Sequence, residues 1–202
     1  MSGVFPITAG FETLDWQSNT NSRVSVSVSG KTQRIKTGQQ FWSFKLKSPA
    51  MTRAEVMADF AFIVKQDGQV ESFTIVPPTV SSARGTASNP ISVVADSSVD
   101  PAYNNQKGSS VVGVSGGSGT LLKGDLVKFA SHDKVYMVTE DASMDISSVD
   151  TLSIYPPLVA DATGSVTFDN VPIKVYFDKD EQKYITQADG TFKYEIVMNE
   201  EI

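Results

Sequence analysis

The sequence predicts a mostly β fold with one short helix. Apolar and polar side chains alternate with a period of two through most of the 202 residues, which is typical of half-buried strands. Gly, Pro, Asn and Asp interrupt these runs at short intervals, as expected for turns between strands. A single segment has helical periodicity instead, and it stands near the end of the first third of the chain.

The first strong strand signal is the alternation of Val and Ser over residues 23–29. It predicts a half-buried strand with three valines on its core-facing side. An aromatic run over residues 40–47 predicts a second strand, which Pro49 ends. Further strands are predicted at the following residues: 70–76, 126–129, 135–139, 151–155, 165–168, 173–177 and 191–198.

The helix is predicted at about residues 53–66. Thr52 is followed three residues later by Glu55, the capping-box arrangement that satisfies two backbone donors at a helix start. Four apolar side chains follow at helical spacing and predict the stripe that faces the core. They are Val56, Phe60, Ile63 and Val64.

Composition excludes several classes of chemistry. The chain has no cysteine and one histidine, so disulfides, thiolate metal sites and cysteine nucleophiles are absent and a zinc site has few ligands to draw on. A formal net charge of −6 argues against nucleic-acid binding. No apolar run is long enough to cross a bilayer, and the first residues do not resemble a signal peptide. We expect no membrane partner.

No catalytic constellation is predicted. Ser131, His132 and Asp133 are consecutive, and neighbours on an extended chain point to opposite faces, so a polar turn is favoured over a hydrolase relay. Residues 113–119 are rich in glycine but lack the Lys-Ser/Thr pair of a phosphate loop, which favours a flexible loop. We therefore expect no catalytic residue, no cofactor and no metal, and hence no enzyme.

Two further segments are interpreted as solvated structure. Asp178, Asp180 and Glu181 lie close together but alternate with lysines and lack the pattern of a calcium loop, so an exposed hairpin turn is predicted. Residues 81–119 are rich in Ser, Gly, Asn and Ala and predict weak strands joined by mobile loops.

The candidate interaction residues are Trp16 and a basic cluster of four side chains. The cluster either binds an acidic partner surface or protects an exposed strand edge from aggregation, which alternating charge also does. Trp16 is interpreted as an interface anchor, a sugar-stacking ring or a core side chain. The four basic residues are Arg23, Lys31, Arg34 and Lys36.

The order of these elements resembles a known family. A Val/Ser strand leads to Phe-Trp-Ser-Phe at 41–44, then to Pro-Ala-Met-Thr-Arg-Ala-Glu at 49–55, and a helix with Phe-Ala-Phe at 60–62 precedes residues 68–75. This pattern resembles the belt-forming part of distal tail proteins and related baseplate proteins of long-tailed bacteriophages. Residues 122–138 look like small β-barrel modules inserted into virion proteins.

The resemblance implies a β-sandwich that clasps the helix, built from residues 1–84 and 169–202, with a barrel-like module inserted at 85–168. It implies a structural virion protein, assembled in the host cytoplasm, that forms a hexameric ring with copies of itself and joins the tail tube to the tail tip. Its other partners would be the tail tube protein and a baseplate hub or tail-tip protein, with DNA only as passing cargo.

The alternative function is a carbohydrate- or receptor-binding module on a β scaffold. An exposed Trp16 or Tyr103 beside a groove would favour it, because aromatic faces stack on ligands and anchor interfaces.

Overall fold

The computed structural model describes residues 3–95 and 103–202. Within them lie one α-helix and fourteen β-strands, which confirms the predicted mostly β fold with one short helix. In chain order they are β1 Thr13–Val26, β2 Thr32–Lys47, α1 Arg53–Lys65, β3 Phe73–Ile75, β4 Ile91–Val93, β5 Val111–Ser115, β6 Gly119–Leu121, β7 Leu126–Phe129, β8 Val135–Val138, β9 Ala142–Met144, β10 Val149–Tyr155, β11 Ser165–Thr167, β12 Ile173–Phe177, β13 Tyr184–Thr186 and β14 Phe192–Glu200.

The chain divides into two compact units. The first joins the residues up to Ile75 to those from Lys174 onward, and the second spans Val76–Ile173. The first unit holds a six-stranded sheet in the order β1-β2-β14-β12-β3, with β13 paired to β14. Its described strands form this one connected sheet, so the two-layer sandwich stays a prediction.

Buried and partly exposed side chains alternate along β2, and the buried ones form part of the core of the first unit. Trp42, Phe44 and Leu46 are all buried on one side of the strand, while the residues between them are partly exposed. This is the period-two pattern that the sequence predicts for a strand with one face on the core. β2 pairs with β14 from Ser43 to Lys47, so the aromatic half of the strand lies inside the sheet.

The helix α1 begins and ends close to its predicted bounds. Thr52 caps it, and the capping box with Glu55 is complete. The predicted core stripe is partly wrong: Val64 is exposed, and Phe60 is only half-buried, against the ring of Tyr184. The buried positions are Val56, Asp59, Ile63 and Gln66. Their spacing is helical, but two of them are polar, so a search for apolar residues alone misplaces the face.

The prediction of a half-buried strand at residues 23–29 is confirmed as a strand only up to Val26, where β1 ends, and is wrong about burial. Val24, Val26 and Val28 are all exposed. Every residue from 20 to 37 is exposed. The reason is topological, because in this stretch β1 and β2 pair with each other and β14 does not reach them. We call residues 20–37 the β-arm.

The second unit holds a closed barrel with the strand order β10-β5-β4-β11-β7-β8, which confirms the predicted barrel-like fold. A two-stranded sheet of β6 and β9 accompanies it. Fifteen buried side chains form one apolar cluster in this unit, so it has a core of its own. The largest aromatic members are Phe129 and Tyr136, whose ring centroids are 5.4 Å apart.

The predicted flexible glycine loop at residues 113–119 is wrong at both ends, because residues 113–115 lie in β5 and Gly119 begins β6. Gly113 lies inside β5, and the ring of Tyr103 covers it so closely that an added Cβ would lie 2.4 Å from Tyr103 Cδ2. Glycine is needed there because the ring occupies the side-chain position. Of the loops predicted between residues 81 and 119, the part at 96–102 lies outside the described residues.

Membrane crossing by a helix is not seen in this structure: α1 falls short of the length and apolar character required, and residues 3–95 and 103–202 contain no other helix.

Candidate interaction site

The β-arm is a two-stranded ribbon that continues beyond the sheet. Its register runs from Ser22 opposite Lys36 to Val26 opposite Thr32, and a register shift separates it from the regular pairing that resumes at Thr20 opposite Gln40. At about 3.3 Å per residue the arm is roughly 20 Å long. Its turn is closed by a hydrogen bond from the backbone N–H of Ser27 to the carbonyl of Lys31 and by one from the backbone N–H of Lys31 to Ser27 Oγ.

The two faces of the β-arm differ in composition. Directly opposed residues of an antiparallel pair share a face. One face therefore carries Val24 and Val26 together with Arg34 and Lys36, and the valines are 58% and 65% exposed. The opposite face carries Arg23 beside Ile35, which is 64% exposed. Each face thus combines aliphatic and cationic groups that stand in solvent.

The structure brings the four predicted basic residues together on this arm. Arg23, Arg34 and Lys36 lie on its strands and Lys31 lies at its turn. Among the described residues none of the four forms an ion pair. Residues 16–54 contain no Asp or Glu, so no local carboxylate offsets their charge.

Trp16 lies apart from the basic cluster, at the foot of the hairpin. Its ring contacts Phe44 edge-on at 4.5 Å between centroids and Trp42 at 5.4 Å, so it is half-buried in the core of the first unit. Tyr103, in the second unit, is buried over Gly113. Neither ring is the exposed platform that the sugar-binding alternative expects.

A second charged surface, which we call the acidic turn, comprises residues 140–150. It carries Glu140, Asp141, Asp145 and Asp150 around two exposed aliphatic side chains, Ile146 at 63% and Val149 at 49%. Sequence reasoning missed it because the four acids are spread over eleven positions. The available signal was charge segregation, since residues 135–173 contain six acidic residues and no Lys or Arg.

The consecutive Ser131, His132 and Asp133 lie in the turn between β7 and β8. Ser131 Oγ is 2.9 Å from His132 Nδ1, and His132 Nε2 is 2.6 Å from the Tyr136 hydroxyl. Asp133 instead accepts a hydrogen bond from Lys128 Nζ at 2.9 Å. Both imidazole nitrogens thus have partners other than the acid, and the three residues are not arranged as a relay. Partial burial holds the pKa of His132 below its usual value.

The acidic residues of the loop between β12 and β13 are bound within the first unit. Asp180 accepts a hydrogen bond from the backbone N–H of Gln69, and Asp178 accepts one from the side chain of Asn199. Within residues 3–95 and 103–202, no group of three or more His, Cys, Asp or Glu side chains is placed to hold a metal ion. This loop contributes no ligand cluster.

Part of the barrel unit is similar to a known protein family. Residues 91–171 match the family model of the B domain of distal tail protein pb9. The resemblance to phage distal tail proteins is confirmed. The distal tail protein match falls within the barrel unit, and it indicates a structural component of a phage tail that contacts other tail components in the virion. Distal tail proteins are in general structural rather than enzymatic. No curated protein matches the chain.

Proposed function

We propose that the chain assembles with copies of itself into a ring, a hexamer, that joins the tail tube to the tail tip. The β-arm is the observation that carries this proposal. A two-stranded ribbon exposed on both faces is marginally stable in water. Exposed aliphatic side chains and free strand edges are also aggregation hazards on a monomer. A neighbouring subunit that covers the arm removes both problems.

The ring has two kinds of partner besides its own copies. The tail tube protein contacts it on one side, and a baseplate hub or tail-tip protein contacts it on the other. DNA passes through the channel as cargo, and the net charge of −6 supports this because like charge keeps DNA from binding the wall. The protein acts without catalysis or a cofactor and is incorporated into the virion after assembly in the host cytoplasm.

The two compact units support the assignment of different roles to two parts of the chain. We assign the belt-like domain, the part that closes the ring, to residues 1–84 and 169–202, and the inserted β module to residues 85–168. The compact units divide the chain a few residues away from these bounds, before Val76 and after Ile173, so residues 76–84 and 169–173 pack with the barrel. The β-arm, α1 and the six-stranded sheet belong to the belt-like part, and the family match at 91–171 falls almost wholly in the inserted module.

The test is the mass of the purified protein in solution, measured by light scattering over a concentration series. A hexamer of 21.8 kDa chains has a mass of roughly 130 kDa. The comparison variant shortens the arm by joining Ser22 to Lys36, which are opposed in the register, through Asn-Gly, a two-residue turn suited to hairpins.

We expect a discrete hexamer for the wild-type chain and a monomer for the shortened variant, with unchanged circular dichroism and thermal unfolding in the variant. A wild-type chain that remains monomeric at every concentration contradicts the ring. A shortened variant that still forms the hexamer contradicts the role of the arm.

A further inference from the structure

Charge is segregated between two surfaces of this chain. The β-arm carries four cations and no acid, whereas the acidic turn carries four carboxyl groups and no cation. Each surface also presents aliphatic side chains to solvent: Val24 and Val26 on the arm, and Ile146 and Val149 on the turn. The two surfaces are therefore complementary in both charge and apolar character.

The carboxyl groups of the acidic turn are held in place by neutral donors. Asp150 accepts hydrogen bonds from the backbone N–H of Asp145 at 2.8 Å and from Ser148 Oγ at 3.0 Å. Asp145 accepts one from the backbone N–H of Ser147 at 2.8 Å. In the part of the chain that the structure describes, no Lys or Arg side chain pairs with them. The turn is thus ordered before any partner arrives, which lowers the entropic cost of docking.

Other exposed acids of the chain fit the arm less well. Glu195 pairs with Lys45 at 2.7 Å, and Glu12 pairs with Lys193 at 2.8 Å. The loop with Asp178 and Asp180 interleaves its acids with lysines, so its field is mixed. Within the described residues the carboxyl groups of the acidic turn form no ion pair, and exposed aliphatic side chains lie beside them in the sequence.

We infer that the β-arm of one copy docks on the acidic turn of a second copy, through the arm face that carries Val24, Val26, Arg34 and Lys36. The valines contact Ile146 and Val149, and the cations face the carboxyl groups around them. This inference rests on the self-assembly proposed above and specifies its contact. The two surfaces are different parts of the chain, so the contact is heterologous, and repeated head-to-tail contacts of this kind close into a ring when the rotation between neighbouring copies completes a full turn.

The test uses two full-length variants with opposite changes. The arm variant carries Arg34→Glu and Lys36→Glu, and the turn variant carries Glu140→Lys, Asp141→Lys and Asp145→Lys, which turns its net charge from −4 to +2. All five side chains are exposed, so folding is expected to be unchanged. Each variant alone places like charges on the two surfaces. We expect its self-association to weaken about tenfold or more at low salt, measured by sedimentation velocity.

Mixing the two variants gives the decisive reading. Every contact between unlike copies in the mixture pairs opposite charges, so the mixture is expected to assemble in a 1:1 ratio at concentrations where each variant alone stays largely unassembled. The matched control is Lys179→Glu with Lys183→Glu, which makes the same charge change on the exposed loop between β12 and β13. The control is expected to assemble like the wild-type chain.

The outcomes separate this inference from the proposed function. A wild-type chain that forms no oligomer contradicts the ring itself. A wild-type hexamer that the arm and turn variants match contradicts the docking contact and leaves the ring standing. Loss of assembly in both variants without recovery in the mixture shows that the two surfaces act separately and overturns their pairing.

Discussion

Asp59 is a fully buried acidic residue on the core side of α1. Its carboxyl oxygens accept hydrogen bonds from Thr8 Oγ1 at 2.5 Å and from the Tyr194 hydroxyl at 2.9 Å. Burial raises the pKa of Tyr194 well above its usual value, and the bond to Asp59 raises it further. Three distant parts of the first unit, the N-terminal segment, the helix and β14, are thus joined at one carboxyl group.

We predict that Asp59→Ala lowers the free energy of unfolding by about 2–3 kcal/mol, because the hydroxyl of the buried Tyr194 loses its acceptor and the more exposed Thr8 hydroxyl loses its bond to the helix. Urea denaturation measures the change. Asp15→Ala, at an exposed position on β1, is the control and is expected to change stability by less than about 0.5 kcal/mol. Equal effects of the two substitutions would show that the buried cluster contributes nothing specific.

His132 predicts a pH dependence that belongs to a single residue, since it is the one histidine of the chain. Its pKa is lowered in the folded state, mainly by burial, so the unfolded chain binds the proton more readily. Its contribution to stability is therefore complete above the unfolded pKa of about 6.5 and is lost as the pH falls below that value.

Thermal unfolding of the wild-type chain and of His132→Asn, compared between pH 7.5 and pH 5.5, tests this dependence. The decrease in melting temperature is expected to be larger for the wild-type chain, because the variant has no imidazole to protonate. The same decrease in both would assign the effect to carboxyl groups elsewhere.

At the scale of elements, burial along α1 changes completely from one residue to the next. Ile63 is buried and the adjacent Val64 is exposed. We predict that Ile63→Ala costs about 3 kcal/mol, in the range for buried aliphatic truncations, whereas Val64→Ala changes stability by less than about 0.5 kcal/mol. Chemical denaturation of the pair measures the difference. A large cost at Val64 would mean that its side chain is covered in solution, as by a partner copy.

The sequence is sufficient to predict α1, because the capping box from Thr52 to Glu55 is a local signal. It is also sufficient for the strand at residues 173–177, whose bounds match β12. It does not reveal that the valines of residues 23–29 are exposed. Alternating Val and Ser look the same whether a sheet partner lies beside the strand or not, and that partner, β14, comes from the far end of the chain.

The candidate site is predictable in the same uneven way. Arg23, Arg34 and Lys36 are recognisable as a group because they are close in sequence and a hairpin keeps them close in space. The acidic turn depends on the path of β9 and β10, which no local pattern defines. The contact between Gly113 and the ring of Tyr103 also depends on the tertiary structure. In a sequence, a glycine indicates a loop as well as it indicates a strand position that another group approaches closely.

At the scale of the whole molecule, the barrel unit is a continuous segment with its own apolar core. Residues ahead of the family match also belong to it. Arg84 donates two hydrogen bonds to the buried carboxyl group of Asp125, from its backbone N–H at 3.2 Å and from Nε at 3.1 Å. The backbone N–H of Ala83 donates to the carbonyl of Phe168 at 3.1 Å.

We predict that a fragment of residues 76–173 folds alone with a cooperative thermal transition. A fragment of residues 91–171 is expected to be less stable by about 2 kcal/mol or more, because it leaves the buried Asp125 without Arg84. Arg84→Ala in the longer fragment isolates that contribution. Equal stability of the two fragments would show that residues 76–90 do not contribute to the barrel fold.

The β-arm also restricts how the sequence of this region changes over time. Side chains of a strand alternate between faces, so inserting or deleting one residue between the register shift and the turn exchanges the two faces of that strand. Val24 and Val26 would then lie on the side now occupied by Arg23 and Ile35. Inherited changes in arm length should therefore come in even steps, which preserve the binding face while altering its reach.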